Sequence, residues 1–357
     1  MQKVFIRSMY PYGWVLPDEP DGTKRLISGA GYWARFETLL RGCLAELGFE
    51  VLEQQEHPRV PDVKNDARFR LYAHQNRRDV PGHLFYKQTH LPDFFTIDPL
   101  GWGADHSGMQ SAPELGGIEE AEAERFVRAL RRVLLETGRS KHPQPARRPL
   151  ASLPDDYIFV PTQTPRDYVQ RHHAPITVPD FVRLIADWGH RNRQNVVFKL
   201  HPGLLGGQDD DLIEAVRGYA AGSDYVFCLD GNIHDLIASS RGVFTINSGV
   251  GFESLVHGKP VVTFGNCDYK WVTFRADARS LGGAREFVFG QPDHAARQAL
   301  KFVYYYCTRH AFSVEDERLV QSRARLLDYL AGALSAAPPP APSPRRATRA
   351  SFSSDGK

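Results

Sequence analysis

The sequence predicts an α/β fold with a parallel sheet covered on both faces, and three observations carry that reading. From residue 157 onward, apolar runs of four to six residues alternate with stretches of helical period. The runs are continuously apolar rather than alternating, the pattern of strands buried on both sides. Polar and charged residues gather just after the runs, and open parallel sheets bind ligands beyond the carboxyl ends of their strands.

The elements follow in order. Tyr157-Ile158-Phe159-Val160 reads as a strand, and residues 179–190 as a helix with Phe181, Val182, Ile185 and Trp188 on its apolar face. Residues 195–200 read as a strand, 209–221 as a helix, 225–229 as a strand and 232–239 as a short helix. The stretch "TINSGVGFESLVHGKPVVTFG" (residues 245–265) then gives a strand end, a tight turn, a helix and a new strand. Its turn, Asn247-Ser248-Gly249-Val250-Gly251, leaves backbone N–H groups free at the positive end of a helix dipole. That is a natural seat for phosphate, although one glycine-rich turn can serve backbone geometry alone. The strand ends together carry Gln163 and Asp167, Lys199 and His201, Asp230, and Asn247 with Ser248. This concentration points to a phosphate-bearing ligand.

The first half is less regular. Residues 32–47 read as a helix with Phe36, Leu39, Leu40 and Leu44 on one face, and residues 50–53 as a strand. Gly29-Ala30-Gly31 reads as a helix-start turn, because the full dinucleotide fingerprint is missing. Residues 119–136 form another amphipathic helix, with Phe126, Val127, Leu130, Val133 and Leu134 along one face. Proline and basic residues follow it. The expected division is therefore an N-terminal domain at 1–138, a linker at 139–154, a C-terminal domain at 155–334 and a tail at 335–357. The tail is rich in proline, serine and arginine without apolar periodicity, which predicts disorder.

Length and composition bound the function classes. A chain of 357 residues favours about two domains. The net charge of +2 gives no general argument for nucleic acid. No window approaches the roughly 20 apolar residues of a membrane span, so the expected location is cytoplasmic, with contact at the inner membrane surface at most. The four cysteines have no metal-type spacing and read as reduced core thiols. Asp209-Asp210-Asp211 contains a formal Asp-x-Asp, but acidic residues are expected at a helix start. His172-His173 lacks partners at ligand spacing. No metal and no cofactor are expected.

Four stretches resemble the bacterial capsule polysaccharide biosynthesis family, whose members include retaining β-Kdo glycosyltransferases. They are "VPTQTPRDYVQRHHAP" with Gln163, Asp167 and Gln170, "VVFKLHP" with Lys199, His201 and Pro202, the 245–265 stretch with Asn247, Ser248, Glu253 and Lys259, and "LPDFFTIDPLGWGADHS" with Asp98. Before the last of these the family usually has Glu-x-Gly, where this chain reads Tyr86-Lys87-Gln88-Thr89-His90. The resemblance implies a GT-B-like fold, two Rossmann-like domains facing a cleft, with helices near 295–310 and 314–334 closing it and crossing back to the N-domain. It implies CMP-Kdo as donor and a glycan or lipid-linked glycan as acceptor. Lys199, His201, Ser248 and Gly249 would then meet the CMP phosphate, with Asn247 in the same turn, and Glu253, in the first helical turn, the ribose. Asp167 would be the nucleophile of a double displacement, Asp98 a second carboxylate, and Gln163 and Gln170 would position the sugar. From the residues alone, Asp167 also reads as a turn or helix cap and Glu253 as a surface carboxylate. Another nucleotide sugar, or a glycan-binding protein without catalysis, are the competing readings.

Overall fold

The structure is a computed structural model that describes residues 2–8, 30–55, 67–76, 80–147, 150, 153–204, 209–290 and 292–335. Gly29, part of the expected linker and all of the expected tail but Ser335 lie outside the described residues.

The first sheet is built from β1 (Gln2–Ser8), β2 (Phe49–Gln55), β3 (Phe69–Ala73), β4 (His83–Gln88) and β5 (Phe94–Asp98), with α1 (Ala30–Glu46) crossing from β1 to β2. β1 pairs parallel with β2 and β3, β3 pairs parallel with β4, and β5 runs antiparallel to β4. The apolar face read from residues 32–47 is the one α1 buries: Phe36, Leu40 and Leu44 are fully enclosed against Val4, Ile6 and Leu71. β1, β3, β4 and β5 have no counterpart among the strands read from sequence. Their runs are short, and β1, β3 and β4 carry arginine, lysine or histidine, of which Arg7 and Lys87 are buried.

After β5 the chain enters α2 (Glu120–Thr137), then β6 (Ile158–Pro161), α3 (Tyr168–His173), α4 (Val178–Asn192), β7 (Val196–Lys199), α5 (Asp210–Ala221), β8 (Val226–Cys228), α6 (Ile233–Ser239), β9 (Gly242–Thr245), α7 (Gly249–Val256), β10 (Val261–Thr263), β11 (Phe274–Arg275), α8 (Leu281–Gly290) and α9 (Asp293–Tyr305). The second sheet has the order β11-β10-β9-β6-β7-β8, and all its pairs are parallel. Numbered within the unit this is 6-5-4-1-2-3, the order of a doubly wound dinucleotide-type sheet, whose crevice opens where the order reverses beside β6. Every strand and helix read between residues 157 and 265 is present within one or two residues of its expected bounds. The local signals are plain there: Thr177 caps α4 by accepting from the Asp180 N–H, a proline sits in the first turn, and Arg193 ends the helix in the left-handed region.

The second unit starts ahead of its expected bound at 155, and its end departs from the bound at 334 in the way the resemblance implies, by crossing back to the first unit. α2 was assigned to the N-terminal unit. Its apolar face, Ala123, Val127, Leu130 and Leu134, instead packs with Phe252 and Val256 of α7 and Phe302 and Val303 of α9. The second unit therefore begins ahead of α2. At the other end, β12 (Phe312–Ser313) pairs antiparallel with β5, and α10 (Asp316–Ser335) lays Leu326, Leu330 and Leu334 against α1. The last helix belongs to the first sheet, because its leucines complete the core that α1 leaves open on that side. Cys43, Cys267 and Cys307 are buried free thiols and Cys228 is a half-buried one.

Candidate functional site

The turn between β9 and α7 lies at the bottom of a cleft between the two sheets. Ser248 caps α7 by accepting from the Val250 N–H at 3.3 Å. The Gly249 N–H, at the first helical position, has no intrahelical acceptor and faces the cleft. Asn247 fixes the turn from beneath. Its Oδ1 accepts from Gln163 Nε2 at 2.9 Å and from Gln170 Nε2 at 2.7 Å, while its backbone N–H donates to Gln163 Oε1 at 3.1 Å. Gln163 and Gln170, expected to position a sugar, both donate to Asn247, and Gln170 Oε1 is buried without a hydrogen-bond partner. Gln170 does not line the cleft, while Gln163 borders it with its side-chain groups already engaged. The Tyr269 hydroxyl donates to the Ser248 carbonyl. A Cβ at Gly251 would overlap that same phenol. Gly251→Ala is expected to displace Tyr269 and loosen the turn, at about 1–3 kcal/mol of stability, read as a lower urea midpoint. An unchanged midpoint would show that the phenol moves freely.

Lys199 and His201 arrive at the end of β7. Lys199 is buried, and its Nζ donates to Asp230 Oδ1 at 2.6 Å, so its charge already has a counter-ion. The His201 Nδ1 accepts from the Gly203 N–H at 2.9 Å, which leaves the proton of the neutral ring on Nε2. Burial pushes its pKa down to about 4; Asp167 opposes this, and Lys141 and Lys199 add to it. His201 therefore offers the cleft a neutral N–H donor. The ring of His142, itself pushed to about 3 by burial and by His201, stands edge-on to it at 5.0 Å.

Asp167 lines the cleft at the N-terminus of α3, at the cap position, yet its side chain makes no cap hydrogen bond. The cap reading is thus met by the backbone alone, and the carboxylate stays available. α3 is tied to the other unit through Asp105, whose Oδ2 accepts from Asn76 Nδ2 at 3.1 Å and from the Tyr168 hydroxyl at 3.0 Å and meets His173 Nε2 at 3.0 Å. Asp98, expected as a second cleft carboxylate, does not line the cleft. Its Oδ1 accepts from the N–H groups of Leu100 and Ser107 at 2.8 and 3.0 Å, and its Oδ2 from the Ser107 hydroxyl. It is a buried clamp for the loop after β5. Asp209 receives Arg166 at 2.9 Å at the start of α5. Among the described residues no group of three or more His, Cys, Asp or Glu side chains is arranged to hold a metal ion.

Glu253 is not a surface carboxylate and does not lie in the first turn of α7. It is 2% exposed and lines the cleft. Its Oε1 accepts from the Ser140 hydroxyl at 2.7 Å, and its Oε2 has no hydrogen-bond partner. Burial pushes its pKa up to about 7, against the opposing effects of the Ser140 hydroxyl and Lys141. A buried acceptor left open in this way suits a ligand hydroxyl.

Several cleft residues were not singled out in the sequence. Ser140, Lys141 and His142 follow the left-handed Gly138 that ends α2, in what reads as a linker. From the first unit come Lys87, Trp102 and His90. His90 Nε2 meets Asp268 Oδ1 at 2.8 Å, and Asp268 Oδ2 accepts from the Tyr306 hydroxyl at 2.7 Å. Although burial acts to raise it, these partners hold the Asp268 carboxyl well below the usual range. The basic run at 139–142 was the one available signal, since charge at a domain boundary often faces a cleft.

Two α/β units, the second with the doubly wound strand order, enclose a cleft lined from both sides with the turn before α7 at its base. This is a GT-B-like fold. Residues 117–280 match the family described as capsule polysaccharide biosynthesis protein, which bears out the resemblance carried by the motifs. The match begins just ahead of α2, where the structure starts the second unit. Among curated proteins, "Protein FixF" of Sinorhizobium fredii is 26% identical over 254 residues, covering 69% of this chain and 58% of that protein. The chain thus spans less than two thirds of the length of that relative. Among solved structures, Thermosulfurimonas dismutans KpsC appears as a "beta Kdo 2,7 transferase" with 14% identity and a TM-score of 0.46, covering 92% of this chain and 99% of that one. It appears also as a "beta Kdo 2,4 transferase" with 14% identity and a TM-score of 0.48, covering 82% and 95%.

Proposed function

We propose that this protein is a retaining glycosyltransferase that moves Kdo from CMP-β-Kdo to a glycan or lipid-linked glycan in bacterial surface polysaccharide synthesis. The observation that carries this reading is the unengaged carboxylate of Asp167 in the same cleft as the turn before α7. The CMP phosphate would lie against the Gly249 N–H, the Ser248 hydroxyl and His201 Nε2–H, with Lys199 behind them. Glu253 Oε2 would accept from a ribose hydroxyl. Asp167 would attack the anomeric carbon as its bond to the phosphate oxygen breaks, giving a glycosyl ester and CMP. The acceptor hydroxyl would then displace Asp167 from the opposite direction and lose its proton, so two inversions give retention. No helix among the described residues is long and apolar enough to cross a membrane; a lipid-linked acceptor would be met at the cytoplasmic surface of the inner membrane.

CMP is expected to raise the melting temperature without added divalent metal, and UDP and GDP to do so less. His201→Ala and Lys199→Ala should each weaken CMP binding by about 1–3 kcal/mol. The Lys199 variant belongs nearer the lower end, because Asp230 already neutralises that ammonium. Equal shifts with all three nucleotides, or unchanged CMP affinity in both variants, would remove the donor assignment.

A further inference from the structure

Two cleft cations lie outside the residues to which the motifs assign a role. Lys87 projects from β4 of the first unit and is 9% exposed, with its Nζ over the Trp102 ring, 3.2 Å from the centroid. Lys141 reaches the same cleft from the segment after α2. Among the described residues, neither ammonium has a carboxylate within ion-pair distance, whereas Lys199 has Asp230. Burial pushes both lysines below the ordinary lysine value, and Lys141 adds to this at Lys87, while Asp167 and Asp268 act in the opposite sense on both and Glu253 joins them at Lys141. Buried Lys87 and half-buried Lys141 line one cleft, and a cation taken from water is costly unless an anion joins it. The aromatic face offsets part of that cost for Lys87, by about 2 kcal/mol at most.

We propose that Lys87 and Lys141 form a seat for a carboxylate carried on the anomeric carbon of the donor sugar, so that the site selects ulosonic acids over neutral sugars. This rests on the donor reading above. In a 2-ulosonic acid the carboxylate is bonded to the anomeric carbon itself, so it must enter beside Asp167, the group that attacks that carbon. Two carboxylates brought together repel unless a cation lies between them. Lys87 and Lys141 are the cleft cations that Asp167 acts on. A neutral aldose would leave both of them unpaired. The phosphate belongs on the other side, against α7 and His201, so the donor's two negative charges have separate seats.

The test uses the full chain as wild type, Lys87→Met, Lys87→Arg and Lys141→Met, with melting followed first without ligand. Met keeps the stem of lysine and removes a buried unpaired charge, so Lys87→Met is expected to melt at or above the wild type. Affinity is then compared for CMP and for CMP-Kdo generated in situ. The wild type should bind CMP-Kdo more tightly than CMP. In Lys87→Met the CMP constant should stay within about twofold, while CMP-Kdo weakens by about tenfold or more. Lys87→Arg should recover part of the loss, and Lys141→Met should also lose the discrimination. A wild type that binds neither ligand overturns both readings. A wild type that binds CMP but gains nothing from the sugar, or a Lys87→Met that keeps the full preference, overturns the carboxylate seat alone. A Lys87→Met that is strongly destabilised without ligand shows that the ammonium is paired in the resting protein, and overturns it as well.

Discussion

Asp167→Asn is expected to leave the fold and CMP affinity intact and nearly abolish glycosyl transfer. The side chain makes no cap hydrogen bond, so its amide removes nothing that holds α3. The helix stays anchored by Tyr168 and His173 on Asp105, which the substitution does not touch. What is lost is the nucleophile, since an amide attacks an anomeric carbon poorly. Wild-type protein given donor and no acceptor should accumulate a species one sugar heavier, with the added mass on the peptide that contains Asp167. A variant that keeps activity within about tenfold, or about 1.4 kcal/mol in the barrier, would exclude the covalent role. Asp98 is no ready substitute, because its two oxygens clamp the loop up to Ser107.

The second large effect concerns Glu253 and pH. Its carboxyl is pushed by burial from an ordinary value of 4.5 up to about 7. Between those values the folded protein holds a proton that the unfolded chain has released, so this group's contribution to stability falls as pH rises through that window. Above about pH 7 the loss is complete, at about 3 kcal/mol for a shift of this size. Glu253→Gln does not titrate, so in the absence of ligand the variant should gain on the wild type between pH 5 and pH 8 by about 2–3 kcal/mol. Half-buried His142 and His201 and buried His257 are shifted the other way, to about 3, 4 and 3. They stabilise the protein above the ordinary histidine value, and that contribution is lost as pH falls towards their folded values. Both proteins carry them, so they cancel in the difference. Urea titrations at four pH values measure it; a constant difference across the range would show that Glu253 is ionised throughout. The same substitution should weaken CMP, because with the amide oxygen held by Ser140 the ribose hydroxyl would meet an NH2 donor in place of the open acceptor Oε2.

The second unit was legible because its signals are local. Parallel strands covered on both faces must be continuously apolar, and helices between them must carry one apolar stripe, so residues 157–265 spell their elements directly. The turn was legible for the same reason: Asn247-Ser248-Gly249 sits between a strand and a helix, where small and capping residues are expected. The first unit hid its strands because charged residues interrupt them, and two of these, Arg7 and Lys87, are buried in the fold.

The sequence by itself determined the α/β class, the strand-end clustering of Gln163, Asp167, Lys199, His201 and Ser248, and the family resemblance, because each depends on residues close together in the chain. Only the tertiary structure decided which of those polar groups are free to act. Gln163 and Gln170 are drawn onto Asn247 from 84 and 77 residues away, Lys199 onto Asp230, and Asp98 onto Ser107. It also decided that α2 leaves its expected unit. It brought Lys87 from β4 and Lys141 from a linker into one cleft. A side chain's partners are set by how the sheets face each other, and the burial that removes water from an ammonium or a carboxylate exists only once they do.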